Sequence, residues 1–266
     1  MWIRGNGGKC HILISMQILG VRIDEVTKQQ SLEKAREFLY SDKSHKIFTP
    51  NPEMLVDARR DPSFGAVLND SDLNLCDGFG LWLATGRRAE RITGVDFMLD
   101  LCALAEKESK SVYLLGSWSD DVVKKTAQVL QEKFPYLKIV GFHSGINVTI
   151  EQCNNKTILK YSQDENESLI YDIITKAPDI MFVAFGHLKQ EKWIAQNLRD
   201  LPSVKIAMGV GGAFDFISGN VKRAPKWMRK IGLEWVWRLV REPKRIGRIW
   251  KATVLFICFF LREKFL

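Results

Sequence analysis

A chain of 266 residues, 46% hydrophobic and 26% charged, is long and apolar enough to bury a core, which excludes an intrinsically disordered protein. Its net charge of +8 sits in one place: residues 221–266 hold 13 Lys and Arg against 3 Asp and Glu, a net of +10, whereas the first 220 hold 26 against 28, a net of −2. The five cysteines, odd in number and without CxxC spacing, exclude a disulfide framework and a zinc site and suit a reducing cytoplasm.

Residues 1–15 read as an N-terminal extension. The apolar run His11 to Val21 is broken by Gln17 and has no small-residue cleavage site after it, so no signal peptide is expected; Met16, where the patterned sequence begins, is a second candidate start. Residues 16–220 show the alternation of an α/β domain. Gln17 to Ile23 predicts a strand, Gln30 to Leu39 an amphipathic helix, and His45 to Thr49 the next strand. The strand runs into Thr49-Pro50-Asn51-Pro52-Glu53, where two prolines hold the backbone extended. That segment either presents Thr49 and Asn51 to a ligand or is simply the turn that starts the helix Glu53 to Arg60.

A further helix and a short strand, Leu73 to Cys76, lead to Asp77-Gly78-Phe79-Gly80. An aspartate at a strand's carboxyl end stands where open α/β sheets place ligands, although Asp there also caps helices. Asp70-Ser71-Asp72 spells DxD but precedes its strand, and reads as a solvated turn. Thr93-Gly94-Val95-Asp96 opens the helix Phe97 to Lys107. Next come the strand Ser111 to Leu115, the turn at Gly116 and the helix Asp120 to Phe134; a glycine turn feeding a helix N-terminus is an anion site in principle. The strand Lys138 to Gly141 follows, and the polar run 147–168 predicts a surface insertion.

Asp179 to Phe185 is a buried strand, followed by Gly186 and a helix that begins with Gln190 and Glu191, candidate readers of a ribose or base. The last strand, Val204 to Met208, ends in Gly209-Val210-Gly211-Gly212-Ala213-Phe214-Asp215, with a buried-looking aspartate among glycines. Polar residues and glycines thus gather at one edge of a largely parallel, Rossmann-like sheet with helices on both faces.

Residues 221–266 form a basic helical appendage. Tryptophans at 227, 235, 237 and 250 lie among Lys and Arg, and the apolar run Ala252 to Leu261 is shorter than the ~20 residues that span a bilayer. This composition fits a helix in the interface of an anionic membrane. A core or homo-oligomer contact is the second reading. Nucleic acid is the third and is disfavoured, because a nucleic-acid arm would leave Phe256, Phe259, Phe260 and Leu261 bare.

Taken together, Thr49-Pro50-Asn51-Pro52-Glu53, Asp77-Gly78-x-Gly80, Thr93-Gly94-x-Asp96, Gly186…Gln190-Glu191, Gly209-x-Gly211-x-Ala213-Phe214-Asp215 and Arg223-Ala224-Pro225 closely resemble the WecG/TagA/CpsF family of bacterial glycosyltransferases. The resemblance implies a metal-independent, inverting transfer of an N-acetylmannosamine-type sugar from a UDP donor to undecaprenyl-diphosphate-linked N-acetylglucosamine, with no cofactor, at the cytoplasmic membrane face. By position it makes Asp77 the catalytic base and puts Thr49, Asn51 and Gln190 in the pocket. It sends arginines of the appendage, here Arg223, Arg229 and Arg238, to the diphosphates. Gly78, Gly116, Glu191, Gly211 and Asp215 complete the expected substrate site. Leu188 and Cys76 replace prolines common in the family, and 147–168 is extra. A transferase of another UDP-hexose and a non-catalytic, membrane-docked nucleotide-sugar sensor are the alternatives.

Overall fold

The computed structural model describes residues 14–154, 156–241, 243 and 246–265, without the side chains of Lys230, Arg238 and Phe265. Nearly all of the expected N-terminal extension lies outside the described residues. In chain order the body comprises β1 (Ser15–Ile18), β2 (Val21–Asp24), α1 (Lys28–Leu39), β3 (His45–Phe48), α2 (Pro52–Arg60), α3 (Pro62–Asn69), β4 (Leu73–Asn74), α4 (Phe79–Ala84) and α5 (Gly94–Lys107). It continues through β5 (Ser111–Gly116), α6 (Asp120–Lys133), β6 (Lys138–His143), β7 (Thr149–Cys153), β8 (Lys156–Lys160), α7 (Gln163–Lys176), β9 (Ile180–Ala184), α8 (Lys189–Asn197), β10 (Ile206–Gly209) and α9 (Ala213–Ile217).

Six strands pair in the order β4-β3-β10-β9-β5-β6, and every pairing is parallel. β3 leads outward to β4, β5 leads outward to β6 on the other side, and β9 and β10 fill the middle. Chains that diverge in this way leave a crevice at the strands' carboxyl ends. The central strands are buried on both faces. Met181 and Val183 of β9 point into one apolar layer with Phe48, Tyr113 and Leu115, while Ile180 and Phe182 point into the other with Ile47, Leu114 and Met208. Continuous apolar runs, instead of alternating ones, are the sequence signature of such strands.

The expected single strand over 17–23 is instead a hairpin. Leu19 and Gly20 both take positive φ, 51° and 77°, the geometry of a tight two-residue turn. The hairpin covers the β4 edge: the buried Asp24 carboxylate accepts the backbone N–H of Asn74 at 2.7 Å, and the Asn74 amide donates to the carbonyls of Arg22 and Leu68. The polar run 147–168 likewise has regular structure, with β7 and β8 forming an antiparallel hairpin before α7 begins. Thr157 of β8 donates its N–H to Asp61, and its carbonyl accepts from Lys192, which holds the hairpin to the body.

The appendage consists of α10 (Lys226–Lys230), α11 (Glu234–Arg241), α12 (Ile246–Trp250), a π-helical turn over Lys251–Leu255 and α13 (Phe256–Phe265). Its apolar run is divided between two faces. Phe256 is buried, and Leu255, Phe259 and Phe260 pack against the core, whereas Ile257 and Leu261 stay exposed. No helix among the described residues is long and apolar enough to cross a membrane.

Candidate active site

The carboxyl ends of β3 and β4 place Thr49, Asn51 and Asp77 side by side. Asp77 donates its backbone N–H to the Pro50 carbonyl at 3.0 Å. The next residue, Gly78, has φ +88°, and a Cβ there would lie 3.1 Å from Pro52 Cδ, so a side chain would be strained and would crowd the proline. The two prolines that stiffen the β3 exit therefore also form the wall on which Asp77 is seated. The half-buried Asp77 acts on its neighbours: burial first and then the Asp77 charge push the Cys76 thiol up to about 12. Thr49 packs on the start of α5, where a Cβ on Gly94 would lie 3.1 Å from Thr49 Oγ1. Asn51 caps α2, its Oδ1 accepting from Met54 N at 3.1 Å, so this oxygen serves the turn.

Gln190 and Glu191, the candidate readers of a ribose or base, are both buried beneath the β10 loop. Gln190 Oε1 accepts the N–H of Gly211 at 2.9 Å, while its Nε2 donates to Glu191 Oε1 at 2.7 Å. Glu191 Oε2 accepts the N–H of Leu188 at 2.6 Å, and Leu188 is held at φ +71°. Burial raises the pKa of Glu191 against these hydrogen bonds. The pair thus joins the β9 and β10 exits into one rigid rim. Gly209 makes room for it, since a Cβ there would lie 2.7 Å from Gln190 Nε2.

Two further site candidates have structural partners. A Cβ on Gly116, at φ +116°, would fall 2.7 Å from both the carbonyl carbon and oxygen of Ala184, so this glycine lets β5 and β9 approach. The α6 N-terminus that follows is capped by Ser119 and carries Asp120 and Asp121 in its first turn, so its positive end already has anionic neighbours. Asp215 is half-buried, not buried, and binds the turn after α9: Oδ1 accepts from Asn220 Nδ2 at 2.9 Å and its carbonyl accepts from Val221 N at 3.0 Å. The DxD segment lies at the opposite end of the sheet, with Asp70 paired to Lys46 and Asp72 to His45.

The family model described as "Glycosyl transferase WecG/TagA/CpsF family" matches residues 16–266, the appendage included. The chain belongs to this family. It is also 37% identical over 208 residues to a Bacillus subtilis (strain 168) protein named N-acetylglucosaminyldiphosphoundecaprenol N-acetyl-beta-D-mannosaminyltransferase, covering 76% of this chain and 74% of that one. A Staphylococcus aureus (strain MW2) protein of the same name is 30% identical over 248 residues, covering 91% and 90%.

In this glycosyltransferase two clusters of charged side chains tie the appendage to the body, besides the packing of α13. At the first, Arg223 Nη1 and Nη2 donate to Asp96 Oδ1 and Oδ2 at 2.6 and 2.8 Å, and Nη2 also donates to Thr93 Oγ1 at 3.1 Å. Burial opposes ionisation of Asp96, but the hydrogen bonds from Arg223 and Thr93 more than offset it and hold the carboxyl at about 2. Arg229 stands 3.8 Å from Asp96, and its carbonyl accepts from Arg91. Both arginines expected at the diphosphates are thus engaged by Asp96. Arg223 also feels the charge of Asp77. The Arg238 side chain lies outside the described residues.

The second attachment was not legible as a site in the sequence. Arg248 grips the buried Glu53 with Nε at 2.9 Å from Oε1 and Nη2 at 2.9 Å from Oε2, and Lys251 Nζ donates to Asp57 at 2.9 and 3.1 Å. His187 Nε2 lies 3.0 Å from Asp57 Oδ2. Burial works against ionisation of Asp57, but His187 and Lys251 lower its pKa overall. Glu53, Asp57 and His187 could offer ligand atoms to one cation, all within 4.8 Å of one another, but Arg248 and Lys251 already balance that charge. The available signal was spacing: Glu53 and Asp57 share one helix face at i, i+4, and Arg248 and Lys251 share another at i, i+3.

Proposed function

We propose that this enzyme transfers N-acetylmannosamine, or a close derivative, from a UDP-sugar to undecaprenyl-diphosphate-linked N-acetylglucosamine. The relatives' shared name supports the acceptor and the sugar. The observation that carries the chemistry is the seating of Asp77 on the Pro50–Pro52 wall, at the carboxyl edge of the sheet. In this reading Asp77 takes the proton of the acceptor hydroxyl as its oxygen attacks the anomeric carbon from the face opposite UDP. The bond to UDP breaks with its electron pair, and the configuration inverts. Appendage arginines and backbone N–H groups offset the charge developing on UDP, so that no metal is required. Gln190 and Glu191 hold the rim in shape for the donor without contacting the sugar.

The appendage lays its exposed apolar residues and its excess positive charge against the anionic inner face of the cell membrane, where the lipid-linked acceptor resides. The enzyme is then peripheral, bound on the membrane surface. The test is turnover of UDP-N-acetylmannosamine with a short-chain polyprenyl-diphosphate-N-acetylglucosamine, in wild type and Asp77→Asn, with and without EDTA. Acceptor-dependent UDP release that survives EDTA and disappears in Asp77→Asn is expected. Release unchanged by the substitution overturns the base, loss of release in EDTA overturns metal independence, and no release with this donor overturns the sugar assignment.

A further inference from the structure

The final helix runs alongside α2. Arg248 meets Glu53, Lys251 meets Asp57, and Phe259 and Arg262 come level with Arg59 and Arg60. At this far end, a turn and more from the ion-pair attachment, lies an open cavity of about 500 Å³ lined by Arg59, Arg60, Phe259, Arg262 and Glu263. Three guanidinium groups share it with one carboxylate, and that carboxylate is in use: Glu263 Oε2 accepts the N–H of Leu19 at 2.8 Å. Among the described residues, none of the three arginines has a hydrogen-bond or ion-pair partner. Last-turn positions on α2 and α13 make arginine favourable against each helix dipole, but do not account for three of them around one cavity. Unpaired like charges held together gain most from an anion, and the planar fork of arginine fits phosphate oxygens.

The surroundings select the anion. Ile246, Trp250, Val254, Ile257 and Leu261 recur every three or four residues along the same helical run, and all are exposed, at 66%, 57%, 36%, 53% and 47%. Arg262 lies one position, about 100°, round the helix from Leu261. On α13, Phe259 and Glu263 turn the cavity toward α2 and away from the stripe, and Arg262 on the flank of the helix links the two; hydrocarbon beside an anionic head matches that order. We propose that this cavity takes the phosphate of an anionic phospholipid, so that Arg59 and Arg60 of the body read the membrane together with Arg262 of the appendage. The inference rests on the membrane docking proposed above and adds to it a defined headgroup site outside the appendage.

The test uses the full chain and monomeric short-chain phosphatidylglycerol below its micelle concentration, followed by calorimetry. Saturable one-site binding is expected, weakened at least ~10-fold in Arg59→Gln/Arg60→Gln, the loss appropriate to one or two charge-assisted hydrogen bonds. Lys222→Gln/Lys226→Gln, which removes the same charge elsewhere, should retain it, as should thermal melting in either variant. Arg59→Lys/Arg60→Lys, which keeps the charge and loses the fork, should bind at intermediate strength. Equal binding of inorganic phosphate would overturn a lipid in favour of a free-anion site, and non-saturating binding, or saturation untouched by the arginine variants, would overturn the site. Vesicles with and without phosphatidylglycerol separate the two levels. Wild type that ignores both overturns the docking and the site together, whereas charge-dependent docking unaffected by Arg59→Gln/Arg60→Gln overturns the site alone.

Discussion

Arg223 and Asp96 form a fork-to-fork pair across 127 residues of sequence, with Thr93 as a third partner on the same guanidinium. The pair joins the first residues of the appendage to the opening turn of α5, which packs on Thr49. Asp96→Asn should loosen this end of the appendage by about 1 kcal/mol, a small value because Asp96 keeps 43% of its side-chain surface in water. Limited proteolysis near Pro225 should become faster. The sign with pH follows from the depressed carboxyl: the contribution is complete above the ordinary carboxylate range near ~4 and is lost as pH falls through about 2. Cleavage of wild type should therefore be insensitive to this pair above pH ~5.

Gln190→Ala removes the acceptor of the Gly211 N–H and a donor to the buried Glu191. Leaving such groups without partners costs about 1–3 kcal/mol, and denaturant melts should show it. Because Gln190 is placed as a rim-positioning residue, the proposed function predicts weaker UDP binding by the variant with residual turnover retained.

Glu53 and Arg248 should couple. Glu53→Gln and Arg248→Gln each break the same bidentate contact, so the double variant should be little less stable than the worse single one, with a coupling of about 1–2 kcal/mol. Additive losses in thermal melts of the four proteins would show that the contact contributes nothing as a pair.

Two glycine substitutions should differ sharply. Gly116→Ala drives a Cβ into the Ala184 backbone at 2.7 Å and should prevent stable folding or cost more than ~3 kcal/mol. Gly211→Ala meets nothing within 4 Å at φ +54°, so its cost should stay near ~1 kcal/mol, the ordinary penalty of a left-handed alanine. Expression level and melting temperature report the contrast.

Much of the fold could be read from residues whose chemistry acts locally. The apolar runs at 180–184 and 206–209, and caps such as Thr93 and Ser119, specify strands and helix starts within a few positions of themselves. The Leu19-Gly20 turn escaped notice because leucine rarely takes positive φ, and a lone glycine in an apolar run is a weak signal. The site was legible as a meeting of strand ends, but the roles within it were not. Gln190 and Glu191 look like any polar pair opening a helix until the β10 loop closes over them. The partnership of Glu53 with Arg248 spans 195 residues, and no local pattern encodes which distant cation a carboxylate will meet.

Arg223 on Asp96, and Arg248 and Lys251 on Glu53 and Asp57, hold the appendage on either side of α10 and α11. Between these points Gly232 packs on Phe79, two residues from Asp77. A segment held in this way does not leave in one step. When one attachment parts, the other keeps the free end at an effective concentration on the order of millimolar, so reclosure outpaces loss. The appendage thus behaves as a bivalent ligand of its own body. Loosening at one of these points therefore leaves the other, and the packed side chains of α13, in place.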